Sequence, residues 1–297
     1  MRKTWEPVTR RSRLLTVGIE PSSQSGLEFG ALNNPIFSPE YGDIRFVDHA
    51  TTEEIRAHPH EPTVDREAIV SVDYVWSGSG SLAEVIGSGE LLDYAIASHV
   101  IEHVPNLLGW LHGIGEVLKP GGVLNLAIPD KRYTFDVARP LSTIGELVEA
   151  YLLGYTRPSI RQMFDHCSGA RAVGPGECWI KEIDTKQLPP YSGDIALLLA
   201  YHQAQEIVAA GRYFDSHCWV FTPLSFLELI EQAERLGLLP FILTGFHPTE
   251  AGDFEFFVNF ERSDPHEAGL RDRQASGIQV AMKATVDALR TARLLSA

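Results

Sequence analysis

Residues 99–103 read His-Val-Ile-Glu-His and bring three potential metal or proton ligands close together. On a helix these side chains would share one face, and His-x-x-Glu-His is also the inverted signature of zinc peptidases. A peptidase needs that signature inside a long helix, but Pro105 disfavours helical angles at Val104. Two other interpretations stay open: Glu102, His103 and later side chains hold Mg²⁺ and orient substrate hydroxyls, or they form a hydrogen-bonded corner.

Two further positions have the chemistry of a nucleoside site. Gly30 follows a predicted strand and lets the backbone approach a ligand closely. Asp48 lies 18 positions further on, where an acid can accept hydrogen bonds from both hydroxyls of a ribose; a solvated turn acid is the alternative. Trp76, Ser77 and Gly78 could supply a flat apolar slot for a base, unless Trp76 is a core residue.

These positions follow strand-like segments that alternate with helical ones, which is typical of a mostly parallel sheet covered by helices. The strand-like segments of the first half are residues 26–30, 44–48, 72–76, 92–98 and 123–128. Thr51 and Glu54 form a capping box that begins a short helix. Asn106 caps a longer helix, which residues 119–122 (Lys-Pro-Gly-Gly) are expected to end. Ligands of such sheets bind at the carboxyl ends of the strands.

Residues 131–221 break this alternation and are expected to form a helical insertion over one edge of the sheet. Within it, helices are predicted at residues 141–154 and 193–210. The sequence thus predicts an α/β fold in a single domain, residues 1–297, that includes this insertion.

Alternation resumes after the insertion with a helix at residues 223–236. Two strands follow at 240–246 and 254–261, separated by a short turn, which predicts an antiparallel hairpin at the sheet edge. A tail helix is expected from residue 275 onward. The total is a seven-stranded, mostly parallel sheet.

The composition excludes several classes of partner. The chain of 297 residues carries 25 Lys and Arg against 39 Asp and Glu, a net charge of −14, so it repels nucleic acid and anionic lipid. Its three cysteines show no Cys-x-x-Cys spacing, which argues against a thiolate zinc site and a disulfide scaffold. No apolar segment approaches the roughly 18 residues of a membrane span, and the basic N-terminus lacks an apolar signal region. These features predict a soluble, cytoplasmic protein with a small or neutral ligand.

Four motifs, taken together in order and spacing, resemble a known family. They are residues 27–30 (Leu-Glu-Phe-Gly), 43–50 (Asp-Ile-Arg-Phe-Val-Asp-His-Ala), 93–104 (Asp-Tyr-Ala-Ile-Ala-Ser-His-Val-Ile-Glu-His-Val) and 117–122 (Val-Leu-Lys-Pro-Gly-Gly). This set is similar to that of class I S-adenosylmethionine-dependent methyltransferases of the type 11 group. The resemblance covers residues 26–130 and departs from the family at the first motif, where Gly30 stands alone in place of Gly-x-Gly-x-Gly. Residues 215–223 resemble the segment that precedes the late helix in sugar and polysaccharide methyltransferases.

The resemblance implies a Rossmann-like fold and S-adenosylmethionine as the cofactor. It places the methionine part of the cofactor at Ser98 and His99, where the family makes backbone contacts. The expected cofactor-binding residues are Glu28, Gly30, Ala31, Asp48, Ser77, Ser98 and His99.

Methyl transfer to a hydroxyl benefits from a general base, because a sugar hydroxyl is a weak acid. The candidates for this role are His103, His217 and Asp130, with Glu102 beside the first of them. The predicted reaction is O-methylation of a sugar or polysaccharide precursor, such as a mannoside or glucoside. The insertion is rich in aromatic and polar side chains that suit carbohydrate rings, so a small molecule or an oligosaccharide is the expected partner. An ordinary helical cap or a homodimer interface is the alternative role of the insertion.

Two rival functions stay open at this stage. The reduced glycine motif also fits a non-catalytic, methyltransferase-like binding subunit. The side chains of His99, Glu102 and His103 also fit a metal hydrolase. Binding of S-adenosylhomocysteine and the metal content of the purified protein distinguish these alternatives from a methyltransferase.

Overall fold

The computed structural model describes residues 4–58, 64–87, 89–180, 183–264 and 266–295. A seven-stranded sheet runs through these residues. Its strands are β1 (Ser25–Phe29), β2 (Asp43–Asp48), β3 (Tyr74–Val75), β4 (Leu92–Ser98), β5 (Leu118–Pro129), β6 (Phe241–His247) and β7 (Glu255–Arg262).

The order of the strands across the sheet is β3-β2-β1-β4-β5-β7-β6. Strands β1 to β5 are parallel to their neighbours in this series, whereas β7 is antiparallel to both β5 and β6. The prediction of a seven-stranded, mostly parallel sheet is confirmed, and so is the antiparallel hairpin of the last two strands. The second strand of that hairpin lies inside the sheet, because β7 pairs with β5 on one edge and with β6 on the other.

Helices cover both faces of this Rossmann-like sheet. In the described residues they are α1 (Arg10–Leu15), α2 (Thr52–Ala57), α3 (Leu82–Ile86), α4 (Leu107–Val117), α5 (Ile144–Leu152), α6 (Ile160–Gly169), α7 (Pro175–Ile180), α8 (Ala196–Ala210), α9 (Pro223–Arg235) and α10 (Leu270–Leu295). The sequence pattern predicts α2, α4, α5, α8, α9 and α10. It does not predict α1 and α3, since six and five residues are too few to show a helical period. None of the helices in the described part of the chain combines the length and apolarity that a bilayer span requires.

The start of α4 is as predicted, but its end is not. The Asn106 side chain accepts a hydrogen bond from a backbone N–H of the first turn. The helix ends at Val117, and residues 118–122 already belong to β5. The first of these residues pairs with Leu92 of β4, after which the register shifts. The Lys-Pro-Gly-Gly segment is therefore an irregular stretch of strand, with Gly121 at a φ of +81°, and not a helix C-cap.

Two buried asparagines hold α1 on the sheet. The Asn125 side chain in β5 donates to the carbonyl oxygens of Leu15 and Val17 (3.0 and 2.9 Å). Asn259 in β7 donates to the carbonyl oxygen of Leu14 (2.9 Å). Because buried amides need such partners, these bonds fix the N-terminal helix over β5 and β7.

The segment 131–221 contains α5 to α8 and two 3₁₀ turns. Helices α6 and α8 pack against each other through the apolar side chains of Met163, Cys167, Ala200 and Ile207. After α8 the chain returns to the sheet, where the backbone N–H groups of residues 218 and 219 donate to the carbonyl oxygen of Glu102 (2.6 and 3.2 Å). This contact joins the end of the insertion to the turn that follows β4.

Candidate functional site

The strand order reverses between β1 and β4, and the carboxyl ends of β1, β2 and β4 meet at this place. Ligands of open parallel sheets bind at such a position. Gly30, Asp48 and Ser98 lie at these three strand ends, so the structure brings together three positions that the sequence predicts to act together.

Gly30 has both a conformational and a steric reason to be glycine. Its φ is +62°, a left-handed conformation that favours glycine, and its N–H donates to the carbonyl oxygen of Val47 (3.0 Å). A Cβ atom added at this position would lie 2.8 Å from a methyl carbon of Val100. The next residue, Ala31, packs against the apolar cluster that contains Phe37.

Glu28 binds the loop that follows β1. Its side chain is buried, and both carboxylate oxygens accept from the backbone N–H of Ile36 (2.8 and 3.0 Å). Burial, partly offset by backbone hydrogen bonds and the charge of Arg11, raises the pKa of Glu28 to about 7. Glu28 therefore shapes the loop that would approach a cofactor.

Asp48 keeps one carboxylate oxygen without a hydrogen bond. Its Oδ1 atom is 2.7 Å from both the backbone nitrogen and the ring Nδ1 of His49, whereas Oδ2 accepts no hydrogen bond from the described residues. The His49 ring stacks on Tyr213 with 5.8 Å between ring centres. The chain returning from the insertion therefore closes over this end of β2. The hydrogen bond that Asp48 accepts raises the pKa of His49.

The face of Trp76 does not form the predicted slot beyond β3. Trp76 is a core residue: its ring lies nearly parallel to that of Trp110 at 6.5 Å, and its Nε1 donates to the carbonyl oxygen of Ser79 (2.9 Å). Ser77 is exposed, with its hydroxyl oxygen 3.2 Å from that of Ser79. Of the three predicted residues, Trp76 and Gly78 are buried, and Ser77 is the one accessible to a ligand.

A charged network surrounds the end of β4. Arg11 of α1 donates to the hydroxyl of Ser98 and to Oε1 of Glu255 (2.9 Å for the latter). The other carboxylate oxygen of Glu255 is 2.8 Å from Nε2 of His99. His99 has a left-handed φ of +54°, and its N–H donates to the carbonyl oxygen of Ala127 (3.0 Å). The network thus joins the predicted Ser98–His99 loop to residues from both ends of the chain.

The segment from His99 to Val104 is a sequence of turns. The N–H of His103 donates to the carbonyl oxygen of Val100 (2.9 Å), and that of Val104 donates to Ile101 (3.3 Å). The long helix that an inverted zinc-peptidase signature requires is not formed by these residues.

Two histidines from distant segments each pair with an aspartate. Nδ1 of His103 is 2.9 Å from Oδ1 of Asp215, and Nδ1 of His217 is 2.5 Å from Oδ2 of Asp136. Arg139 donates to the other oxygen of Asp136 (2.7 Å) and to the carbonyl oxygen of His217 (2.9 Å). Each imidazole is therefore oriented through Nδ1, which leaves Nε2 as the nitrogen that can meet a ligand.

Glu102, His103 and His217 form a cluster, to which we refer as the Glu–His–His cluster. The two imidazole rings meet edge to face, with 4.6 Å between their centres. One ligand atom from each of the three side chains lies within 4.8 Å of the others. The Glu102 side chain is 1% exposed, yet neither of its oxygens has a hydrogen-bond partner in the described residues; Nδ1 of His99 is 3.7 Å away.

The surroundings of the cluster shift the pKa values of His103 and His166 in opposite directions. Burial opposes the charged form of His103, but Asp215 and then Glu102 raise its pKa to about 9. Burial, together with the nearby His217 and Arg139, lowers the pKa of His166 to about 3. At neutral pH His103 is therefore charged, whereas His166 is neutral.

A cavity of about 230 Å³ opens beside the Glu–His–His cluster. Besides the cluster, His99 and the side chains of Phe135, Val173 and Phe254 line it. The insertion contributes Phe135 and Val173, and the loop before β7 contributes Phe254. The cavity therefore lies between the insertion and the carboxyl ends of β4 and β5.

Asp130 does not join the cluster. Its carboxylate is buried and accepts from the guanidinium of Arg132 (2.5 to 3.0 Å) and from the hydroxyl of Thr249 (2.8 Å). Among the predicted catalytic residues, the structure brings together Glu102, His103 and His217 and leaves Asp130 in a separate ion pair.

Sequence reasoning misses several partners of these residues. Asp136 and Arg139 give no signal beyond an acid and a base three residues apart. Arg11 and Glu255 belong to the two ends of the chain, and no local motif connects them. Asp215 does carry a signal, since it opens the segment that resembles the one preceding the late helix in sugar methyltransferases.

Comparison with known proteins gives a family match over most of the chain. A family model described as a methyltransferase domain matches residues 3–234. A search of the curated proteins finds no match.

Solved structures with similar folds share little sequence. An S-adenosylmethionine-dependent methyltransferase from Mesorhizobium loti is 13% identical, with 84% of this chain and 96% of that chain covered and a TM-score of 0.42. The CcbJ methyltransferase from Streptomyces caelestis is 12% identical over 86% of this chain and 89% of that chain, with a TM-score of 0.42. An S-adenosylmethionine-dependent methyltransferase from Aquifex aeolicus is 11% identical over 85% and 89%, with a TM-score of 0.41.

Proposed function

We propose that this chain, which belongs to the methyltransferase-domain family, transfers a methyl group from S-adenosylmethionine to a hydroxyl of a sugar or polysaccharide precursor, such as a mannoside or glucoside. The observation that carries this proposal is the Glu–His–His cluster beside a cavity at the strand ends. A sugar hydroxyl must lose its proton during methyl transfer, and basic groups at the acceptor position assist that loss.

The residues at the strand ends fit the cofactor. S-adenosylmethionine supplies a methyl group already activated by its sulfonium. We propose that the free Oδ2 of Asp48 accepts a ribose hydroxyl, since that oxygen makes no other hydrogen bond in the described residues. The loop at Gly30 and Ala31 would contact the methionine part together with Ser98 and His99. Glu28 would hold the same loop in place, because its carboxylate accepts from the backbone N–H of Ile36.

The acceptor would bind in the cavity beside the Glu–His–His cluster. A volume of about 230 Å³ is below the range of roughly 300–1,000 Å³ typical of drug-sized ligands, which favours a single sugar ring over a larger group. Phe135 and Phe254 offer aromatic faces, and the imidazoles offer polar contacts to hydroxyls. An oligosaccharide could then place its terminal ring inside. The segment 131–221, which supplies Phe135 and His217, would act as the cap.

The Glu–His–His cluster would accept the proton that the acceptor hydroxyl loses. The acceptor oxygen forms a bond with the methyl carbon, the carbon–sulfur bond breaks with its electron pair on sulfur, and Nε2 of His217 would accept the hydroxyl proton. His217 is held for this purpose through Nδ1 by Asp136, and His103, already charged at neutral pH, is held in the same way by Asp215. The carboxylate fixes the orientation of the imidazole ring and leaves Nε2 to face the acceptor, as in other carboxylate-oriented histidines.

A methylation assay tests the proposal. The purified protein is incubated with labelled S-adenosylmethionine and three sets of acceptors: free mannosides and glucosides, phenols, and primary amines. We expect label transfer to the sugars, and we expect a His217→Gln variant to lose most of this activity. Transfer only to phenols or amines would contradict the proposed acceptor. Binding of S-adenosylhomocysteine without transfer to any acceptor would favour a binding subunit instead.

A further inference from the structure

We infer that Glu102, His103 and His217 form a binding site for one divalent d-block metal ion, represented by Zn²⁺. Two imidazoles and one carboxylate are a ligand set that such ions use in catalytic sites, with further positions left for water or substrate. Mg²⁺ prefers oxygen ligands, so the histidines favour Zn²⁺ over the Mg²⁺ that the sequence left open.

Both histidines have the outer partners of metal-ligating imidazoles. A histidine that binds a metal through one nitrogen usually bonds a carboxylate through the other, which fixes its orientation. Here Asp215 holds Nδ1 of His103, and Asp136 holds Nδ1 of His217. The two carboxylates come from separate segments of the chain. The cluster therefore contains two carboxylate–histidine pairs side by side.

Glu102 supplies an independent observation. A carboxylate that is 1% exposed and accepts no hydrogen bond from the described residues is unusual, because burial of an unpaired charge is unfavourable. The ring of His99 lies 3.7 Å away, beyond hydrogen-bond distance. A cation bound at the cluster would satisfy both carboxylate oxygens at the position where the imidazoles converge.

The surrounding charges also favour a cation. Glu102, Asp136 and Asp215 bring three carboxylates, against which Arg139 is the guanidinium in contact with the group. This excess of carboxylates suits a divalent ion.

Small movements would complete the coordination. The three ligand atoms lie within 4.8 Å of one another. Tetrahedral ligands about 2.0–2.2 Å from Zn²⁺ are roughly 3.3 Å apart, so side-chain rotations of an ångström or so suffice. The remaining position would face the cavity. An ion there would lower the pKa of a hydroxyl bound to it, so that the proton would pass to water rather than to an imidazole that holds the ion; this role in catalysis rests on the proposed function.

Calorimetry on the full chain tests the site. Protein without a histidine tag is treated with EDTA, dialysed, and titrated with ZnCl₂ and separately with MgCl₂. We expect one Zn²⁺ per chain and no comparable uptake of Mg²⁺. Visible absorption after addition of Co²⁺ provides a second measurement, because the bands report the ligand geometry.

Matched variants locate the bound ion. Glu102→Gln and His217→Gln should weaken Zn²⁺ binding by more than about 100-fold, and Asp215→Asn should weaken it by roughly 10- to 100-fold. His202→Ala changes an exposed histidine of α8 and should leave the affinity unchanged. Circular dichroism confirms that each variant is folded. Absence of Zn²⁺ uptake, or equal uptake by Glu102→Gln, His217→Gln and the unmodified chain, would overturn the inference.

The result is separable from the proposed function. If Zn²⁺ binds as described but no sugar is methylated, the metal site stands and the acceptor assignment fails. If sugar methylation is undiminished in EDTA and no Zn²⁺ binds, the acceptor assignment stands and the metal site fails.

Discussion

The contacts around β1 and β2 join residues close in sequence, whereas those around β4 and β7 join distant segments. Asp48 binds its neighbour His49, and Glu28 binds a loop residue eight positions on. By contrast, 112 residues separate His103 from Asp215, and 156 separate His99 from Glu255. The proposed nucleoside side of the site is therefore encoded in compact motifs, while the proposed acceptor side depends on the tertiary fold.

Loss of a buried charge on the acceptor side should give the largest effect. Asp136→Asn leaves Arg139, which is 3% exposed, without its ionic partner, and we expect a loss of about 3–5 kcal/mol in the free energy of unfolding. Urea denaturation measures it. Asp215→Asn is the control, because that side chain is 47% exposed and its loss should cost about 1 kcal/mol or less. Equal losses would show that the two pairs do not differ as their burial indicates.

The pH dependence of stability tests the nucleoside side through Glu28. Its pKa of about 7 in the folded protein lies above the ordinary 4.5, so the folded state binds the proton more tightly. This contribution to stability is complete below pH 4.5 and is lost as pH rises to about 7, by up to roughly 1.4 kcal/mol per pH unit.

Glu28→Gln stays uncharged and should not show that loss. Its free energy of unfolding, relative to the unmodified chain, should rise between pH 5 and pH 7 and stay level above pH 7. Urea denaturation at each pH measures the difference, and Glu67→Gln at an exposed position is the control. A difference that does not change with pH would contradict the burial of an uncharged Glu28.

Alanine substitutions at Gly30 and Gly237 distinguish the energetic cost of a left-handed backbone from the cost of overpacking. Both have positive φ angles, +62° and +73°, but an added Cβ meets Val100 at Gly30 and nothing within 4 Å at Gly237. Gly237→Ala should lower the free energy of unfolding by about 1 kcal/mol, because alanine disfavours the left-handed conformation. Gly30→Ala should lower it by about 1 kcal/mol or more beyond that, because the added methyl group also overpacks the site. Thermal or urea unfolding gives both values. Val100→Ala in the Gly30→Ala background should recover the excess; failure to recover it would place the strain elsewhere.

The smallest change should be confined to cofactor affinity. Asp48→Asn keeps one acceptor oxygen but loses its charge, and we expect binding of S-adenosylhomocysteine to weaken about tenfold, near the lower end for a hydrogen bond to a charged group. Calorimetry measures the affinity, with the exposed Asp272→Asn as control. An unchanged affinity would mean that the ribose does not bind at β2. Zn²⁺ binding should be the same in both variants.

Local patterns predict the elements of the first half well. Alternating strand and helix segments, the cap at Asn106 and the capping box at Thr51 are properties of short stretches, and the structure confirms them. Helices α1 and α3 are too short to be predicted, and the end of α4 differs because pairing of residue 118 with β4 extends the strand through the Lys-Pro-Gly-Gly segment. Strand pairing is a long-range interaction, which helix-ending signals do not report.

The candidate site divides in the same way. Asp48 and Gly30 are identified by their distance along the chain, and Glu102, His103 and His217 by their residue types. Asp136, Arg139, Asp215 and Glu255 acquire a role only because the insertion and β7 bring them to the strand ends. Trp76 instead loses its predicted role in the tertiary structure. Its position in the sequence fits a ligand slot, but packing against Trp110 makes it a core residue.

By itself the sequence determined the class of sheet and the order of its motifs, and it supplied the proposed nucleoside contacts, because each depends on spacing within a few dozen residues. The tertiary structure alone decided which carboxylate orients each histidine, and that Glu102 is buried without a hydrogen-bond partner in the described residues. Those features depend on segments about 80 to 110 residues apart meeting at one strand end. Nothing in the local composition of any one segment specifies its partner.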